Sequence, residues 1–586
     1  MRLRILTTVV LATRLYAAQV PLVPSQPSPR RAITPELSAY AERLLEDFGI
    51  HGASVGVVFT DKTTGSVETE FGTWGYRTEE GDAMQKETLF YIGSCSKAFL
   101  TAAMGILMED FASGKNVTTL PDNVAEFTWT TKVKDLFPGD SEWKLVDDIA
   151  NDKVNVGDLF SHVTGLPSHD LAYGAADSEY DVVRKMRYLK PTHELRERFQ
   201  YNNQMYMLGA HIIGTYAKAS FTDFVKERIF VPLAMSSSVY FTKDVPEHTH
   251  LSEAFTEGKR RIPYWFEDED IATLVAGAGG IISNTVDMTK WLAMLLNQGV
   301  NPHTGETIVP KSAFDVVTTA RVIVYGRAPS PDKSVLGYGL GWGRYSYRGH
   351  EARIVVQHNG GLPGFLTYVG FLPWDGVGVV AFVNNGQAGD APDLIGTRLI
   401  ENALGLEHRQ SSKLAEQPHT TSSLVVASAL PSDIPLMSQP LPLPLKNYTG
   451  TYSNPGYGAF TLCSEISTSN YCSQVLTTFS SIRPPNRLPG LYASWSRFWT
   501  KHVRLTHQSG HGFGFETFTL FPEGYGRNTI PFSEVMFGNK SLTALFDVDD
   551  GVVRGLALPN EIADSGVSTS GKALSLENAI VYFHRV

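Results

Sequence analysis

The chain has 586 residues, 42 % hydrophobic and 19 % charged, with 60 acidic residues against 50 lysines and arginines. Such a composition excludes a wholly disordered or collagen-like chain. The net charge of −10 argues against a nucleic-acid partner, which needs clustered cations. No run of about 18 apolar residues occurs, so no transmembrane anchor is expected, and the length points to several domains.

Met1-Arg2-Leu3-Arg4, the apolar stretch Ile5 to Thr13 and the small residues up to Ala18 read as a signal peptide over residues 1–18 and hence a secreted protein. Arg14 at the end of that stretch, and bulky Leu15 or Tyr16 three residues before the cut, leave an uncleaved, cytoplasmic chain as the alternative. Residues 19–34, with four prolines, read as a disordered lead-in. Helical spacing follows over Pro35 to Phe48, then strands over Gly52 to Thr60 and Ser66 to Gly75. From Ser96 to Met108 apolar residues go all the way round, the mark of a buried central helix. Polar and Gly/Pro-punctuated helices and loops fill the middle third. Strand character returns at Arg353 to Gln357, Leu366 to Leu372 and Val377 to Asn384, before a closing helix from Pro392 to Leu404.

Strands at both ends of one segment predict an α+β domain over 35–407, with a single antiparallel sheet built from both ends. Residues 408–445 turn to Ser, Pro, Gln and Leu, which is linker chemistry. Over 446–586 short β-rich runs recur: Phe460–Leu462, Val475–Phe479, Val503–Thr506, Phe515–Leu520, Ala544–Val548, Val552–Leu558 and Ile580–Phe583. No long helical pattern is expected there, and a small all-β, barrel-like domain is. Three cysteines are present. Cys463 and Cys472 are close enough to staple a hairpin, or are two unpaired thiols of a β-domain. The sequons at Asn116, Asn447 and Asn539 permit glycosylation at about the frequency chance supplies.

The sharpest chemical feature is Tyr91-Ile92-Gly93-Ser94-Cys95-Ser96-Lys97, where the buried helix begins. With Ser94 at the helix N-terminus, Lys97 projects from the same face one turn later. A serine hydroxyl needs a neighbouring base, and a lysine serves once burial or the helix dipole lowers its pKa. Ser94 as a plain helix cap is the alternative, although a lysine is unfavourable at that end of a helix. The matches Ser141-x-x-Lys144 and Ser330-x-x-Lys333 begin no buried helix. Tyr201-Asn202-Asn203 stands directly before a helix from Gln204 to Tyr216. Tyr201 can share the proton from Ser94, and Asn203 can meet Lys97 or substrate; a packed Tyr before a capping Asn is the alternative. Tyr452-Ser453-Asn454 repeats the pattern but reads as a turn. His358-Asn359-Gly360-Gly361 is expected at a strand end, with Gly360 and Gly361 letting substrate lie along the backbone and the N–H groups of Ser94 and Gly361 forming an oxyanion hole.

In this order the three motifs resemble the serine β-lactamase and penicillin-binding-protein superfamily, in its class C and D-alanyl-D-alanine carboxypeptidase-like branch. The resemblance extends to Leu159-Phe160-Ser161-His162-Val163-Thr164-Gly165-Leu166-Pro167, Ile229 to Met235, Gly279 to Ser283 and Tyr338-Gly339-Leu340-Gly341-Trp342. It implies a β-lactamase-like domain with helices on both faces of the sheet and a helical subdomain. In that family's terms Ser94 is the acylated nucleophile, and Lys97 and Tyr201 manage its proton. No metal or other cofactor is implied. His358 stands where β-lactamases usually have lysine, which weakens the cation that would hold a substrate carboxylate. Asn447-Tyr448-Thr449-Gly450-Thr451-Tyr452 looks like the start of the lipocalin-like β-barrel that relatives often carry. The expectation is a serine hydrolase of a small-molecule or peptide ester or amide. An acyltransferase and a catalytically silent peptide-binding relative are the alternatives. Oligomeric state is not legible.

Overall fold

The computed structural model describes residues 31–61, 63–137, 143–348, 353–408, 440–482, 490–535, 542–558 and 575–586. The signal-like segment, most of the lead-in and linker, Ser141 and the sequon at Asn539 lie outside them. The first helix, Pro35–Asp47, is capped by the Thr34 hydroxyl accepting from the Leu37 N–H, and buries Leu37, Ala41, Leu44 and Leu45 on one face. It covers an eight-stranded antiparallel sheet that ends of the segment build together: strand Gly52–Thr60 lies between Val67–Gly75 and Val377–Val383. Beyond Val377–Val383 come Phe365–Leu372, Ile354–Leu362, Gly343–Ser346, Leu336–Tyr338 and Val322–Tyr325. The central strands are buried residue after residue, because both sheet faces are covered. Helices Pro35–Asp47 and Ala391–Ala403 lie on one face, over Val55, Val379 and Ala381. Helix Thr285–Leu296 lies on the other, where Val58, Val380 and Phe382 join the larger core.

The central helix, Ser96–Ala112, is buried at every position from Ser96 to Met108. It is packed by helices Gln204–Ala217 and Glu269–Gly279, which is why its sequence shows no polar stripe. In the C-terminal part, eight strands follow one another round an antiparallel sheet from Gly458–Leu462 to Gly490–Ser494, with Phe532–Glu534 added beside Gly512–Phe521. A bridge between Cys463 and Tyr492 brings the two end strands together, so the sheet is a nearly closed barrel. Its interior is filled with aromatic rings, Tyr448, Tyr452, Phe460, Phe513, Phe546 and Phe583 among them.

Three expectations are corrected. Val475–Phe479 is no strand: it lies within a helix, Asn470–Ile482. Cys472, Val475 and Phe479 recur at intervals of three and four, so on a helix they share the face that meets the barrel, with Phe479 against Tyr492 and His502. His358-Asn359-Gly360-Gly361 does not follow a strand but continues it, because Ile354–Leu362 stays paired with Phe365–Leu372 through Leu362. Tyr452 and Ser453 belong to strand Gly450–Asn454, and only Asn454 opens the turn, its side chain accepting from the N–H groups of Gly456 and Tyr457.

The barrel docks onto the first domain along a polar seam. Tyr457 Oη meets His169 Nδ1 at 2.5 Å, and Lys190 Nζ donates to the Ala579 carbonyl at 2.9 Å. Across the seam, buried Glu534 accepts from Thr256 Oγ1 at 2.7 Å and Gln387 Nε2 at 2.7 Å. Burial pushes its carboxyl up to about 7. Asn116 and Asn447 are both half-buried, and the Asn116 amide donates to the Thr118 carbonyl. Cys463 and Cys472 are bonded, closing a nine-residue separation that ties the extra helix to the barrel wall. Replacing both by serine is expected to cost about 2–3 kcal/mol through released chain entropy, read as a lower unfolding midpoint of the barrel in denaturant.

Candidate functional site

Ser94 sits in a single 3₁₀ turn, Gly93–Cys95, immediately before the central helix. The turn is held by Gly93 at φ +51°, a left-handed conformation that favours glycine. It presses on the histidine strand so closely that a Cβ on Gly93 would stand 2.7 Å from the Gly361 nitrogen. A Cβ on Gly360 would stand 1.9 Å from the Ile92 carbonyl oxygen and 3.3 Å from the Ser94 nitrogen. Gly93 and Gly360 therefore let the serine turn and the strand backbone meet, where a side chain on either would force them apart.

One turn into the helix, Lys97 is fully buried. Its Nζ lies 3.1 Å from Ser94 Oγ and donates to Asn203 Oδ1 at 2.8 Å and to the Ala278 carbonyl at 2.7 Å. Burial lowers its pKa to about 7, against the opposing pull of Asp170. Tyr201 supplies an aromatic face 4.8 Å from Nζ, and Tyr206 a second at 5.1 Å. The Tyr201 hydroxyl is buried without a hydrogen-bond partner among the described residues. Burial holds the phenol well above its usual pKa, and only the nearby Ser94 hydroxyl acts appreciably the other way.

His358 points to the same side. Its Nδ1 meets the Asn359 carbonyl at 2.6 Å and its Nε2 meets Tyr338 Oη at 2.9 Å. The carbonyl can only accept, so the proton sits on Nδ1 and the Tyr338 hydroxyl donates to Nε2. Burial and the neighbouring Lys97 push the imidazole down to about 3, leaving it neutral. The ring lies 6.3 Å from that of Tyr201.

Sequence reasoning singled out Ser94, Lys97, Tyr201, Asn203, His358, Gly360 and Gly361, and the fold gathers all seven in one place from three separate segments. It passed over three others. Tyr338 partners His358 from within a quoted sequence block. His162 accepts the Asn202 N–H at Nδ1 and stacks on Tyr201 with ring centroids 4.4 Å apart, setting the tyrosine from behind. Asp170 accepts from Asn203 Nδ2 at 3.2 Å and from the Tyr173 hydroxyl at 2.8 Å. Its signal was available: an acidic residue just before the buried run Leu171-Ala172-Tyr173. Among the described residues no group of three His, Cys, Asp or Glu side chains is placed to hold a metal ion, and no helix is long and apolar enough to cross a membrane.

A sheet built from both ends of the first domain, a buried helix starting beside a serine and a lysine behind it define a protein of the β-lactamase type. The family model described as Beta-lactamase matches residues 37–403, and the chain belongs to that family. Two fungal relatives extend past the matched domain. The unguisins hydrolase of Aspergillus campestris is 26 % identical over 445 residues, 73 % of this chain and 77 % of its own. That of Aspergillus violaceofuscus is 29 % identical over 435 residues, 68 % of this chain and 72 % of its own. Among solved structures, the octameric penicillin-binding protein homologue from Pyrococcus abyssi matches with a TM-score of 0.51 at 19 % identity, over 89 % of this chain and 97 % of its own. That match speaks to the fold.

Gly360→Ala is expected to lower the thermal midpoint by the equivalent of about 1–3 kcal/mol through overpacking. A Cβ on Gly279 would meet the Gly93 carbonyl carbon only at 3.5 Å. Gly279→Ala, measured beside it by calorimetry, is expected to stay close to wild type.

Proposed function

We propose that the protein is a serine hydrolase that forms an acyl-enzyme on Ser94 and releases it to water, acting on an amide or ester of a peptide-like substrate. The observation that carries this reading is the arrangement at Lys97. A neutral amine has two N–H bonds and one lone pair. Asn203 Oδ1 and the Ala278 carbonyl take the two N–H bonds, and the third direction leads to Ser94 Oγ. With the pKa near 7 a large fraction of the lysine is in that neutral form at neutral pH.

In the first step Ser94 Oγ bonds to the carbonyl carbon and its proton passes to Lys97 Nζ. The carbonyl oxygen becomes an anion, which the backbone N–H groups of Ser94 and Gly361 receive. Tyr201, held protonated by burial, gives its proton to the departing nitrogen or oxygen as that bond breaks, and the lysine ammonium restores it. Water then attacks the ester on Ser94, with its proton travelling the same route in reverse. Each step leaves the pair Lys97 and Tyr201 as it began.

A neutral His358 supplies no charge for a substrate carboxylate. This favours a substrate whose leaving group carries no free carboxylate beside the bond that breaks: a cyclic, capped or internal amide. The relatives named for unguisin hydrolysis support water as the acceptor over an acyl-transfer partner. The disulfide supports a setting outside a reducing cytosol.

Intact mass after exposure to a fluorophosphonate is expected to show one adduct on wild type, mapping to Ser94, and none on Ser94→Ala. Turnover of an activated ester is expected to fall at least ~10³-fold in that variant. The rate of acylation should climb with pH through about 7, as Lys97 loses its proton. A rate that is flat from pH 5 to 9 would remove Lys97 from the role of base.

A further inference from the structure

The first domain's lysine is joined to the second domain by an unbroken line of side-chain hydrogen bonds. Lys97 Nζ donates to Asn203 Oδ1 at 2.8 Å, and Asn203 Nδ2 donates to Asp170 Oδ1 at 3.2 Å. The Tyr173 hydroxyl donates to the same carboxylate oxygen at 2.8 Å, and the Trp499 indole N–H donates to that hydroxyl at 2.8 Å. Trp499 belongs to the barrel. It sits at the tip of a tight turn in which the Trp495 N–H bonds the Lys501 carbonyl and the Arg497 N–H bonds the Thr500 carbonyl.

That turn is seated on the first domain from two sides. The Phe498 N–H donates to the Tyr173 carbonyl at 3.1 Å, and the Trp265 indole donates to the Phe498 carbonyl at 2.9 Å. A Cβ on Gly174 would come within 2.8 Å of the Ser496 carbonyl oxygen, so the backbones meet where a side chain would keep them apart. Asp170 is bonded both within its own loop and to Asn203 outside it. Its bonds go to the side chains of Tyr173, Asn203 and Ser168. Among the described residues no cation pairs with it directly, and Lys97 is the charge that its field reaches, through the amide of Asn203.

We propose that Asp170 is a positioning residue for Lys97, and that Trp499 from the barrel completes the hydrogen-bond line that orients it, so that the catalytic lysine is correctly set only with the barrel docked. The inference rests on the reading of Lys97 as base. Asn203 has one way to face: its amide N–H₂ toward the carboxylate and its carbonyl toward the amine. This orientation keeps one lysine N–H occupied and the lone pair directed at Ser94. Trp499, by donating to the Tyr173 oxygen, makes that hydroxyl a stronger donor to Asp170 and stabilises the carboxylate.

The other groups around Lys97 are Ser94 and Cys95 on its own turn, Tyr201 and Tyr206 at the helix Gln204–Ala217, His162 behind Tyr201, and His358 on the strand. Both imidazoles are held neutral by burial, and both phenols and the thiol are held protonated. Asp170 is thus the group whose charge favours the ammonium. Its removal lowers the pKa of Lys97 and moves the rise of acylation to lower pH.

The test is the pH dependence of single-turnover phosphonylation of Ser94 by a fluorophosphonate, in which the Oγ–P bond forms as fluoride leaves and the hydroxyl proton passes to Lys97, on the full chain, for wild type, Asp170→Asn, Trp499→Phe and the double variant. Asp170→Asn is expected to move the midpoint down by about one pH unit and to lower the plateau rate about tenfold, as Asn203 is freed to turn. Trp499→Phe should move the midpoint the same way by less, and the double variant should match Asp170→Asn alone, because both act through one line. Tyr173→Phe, which keeps the ring and breaks the line in its middle, gives the same direction should Asp170→Asn fail to fold. A midpoint unchanged in Asp170→Asn and Tyr173→Phe overturns the inference, even if their rates fall, since a merely structural role lowers the rate without moving the titration. Shifts that add in the double variant overturn the link to the barrel. Wild type that takes no label at Ser94 overturns the functional reading, and this inference with it.

Discussion

A lysine amine enclosed in the middle of a protein is the constraint from which the rest of the site follows. An ammonium without water or a fully bonded partner is costly there, so the amine is released toward its neutral form. The enclosure itself comes from the central helix, which has neighbours on every side and leaves Lys97 no route to solvent. What remains polar around Nζ is two acceptors, one hydroxyl and two aromatic faces. A more exposed lysine would keep its ordinary pKa and its proton.

The same economy of charge governs the neighbours. His358 replaces a cation with a neutral ring whose two nitrogens are both occupied, by a carbonyl and by Tyr338. His162 lies buried and neutral behind Tyr201. Tyr201 stays protonated for want of anything to stabilise its anion. The site thus holds one amine of lowered pKa among groups that burial keeps neutral.

The barrel is hydrogen-bonded to the first domain beside this arrangement. Its seam with the first domain runs from His169 and Lys190 on one side to Thr256 and Gln387 on the other, and so spans the segment that carries Asp170 and Tyr173. Trp499 reaches that segment from above. The archaeal structure matches over 89 % of this chain, more than the first domain spans.

Short-range signals told a good deal. Helix Pro35–Asp47, the flanking strands of the sheet and the all-round apolar helix after Ser94 were legible because periodicity and burial are written into neighbouring residues. So were Ser94, Lys97, Tyr201, Asn203 and His358, since each stands at the start of an element or beside a glycine that locates it. The helix at Asn470–Ile482 was misread because Val475 to Phe479 is β-prone taken alone; its packing against the barrel wall overrode that local preference. The strand through His358 ran further than its glycines suggested, because the partner strand Phe365–Leu372 supplies hydrogen bonds that local propensity does not count. By itself the sequence located the residues that the fold brings together around Lys97 and the family to which the chain belongs. Tertiary structure alone decided that Lys97 is buried, that burial holds His358 neutral, and that Asp170, Tyr173 and Trp499 stand in line behind the lysine. Those properties are fields and hydrogen bonds between groups as much as 326 residues apart along the chain, and they exist only once folding has removed the water between them.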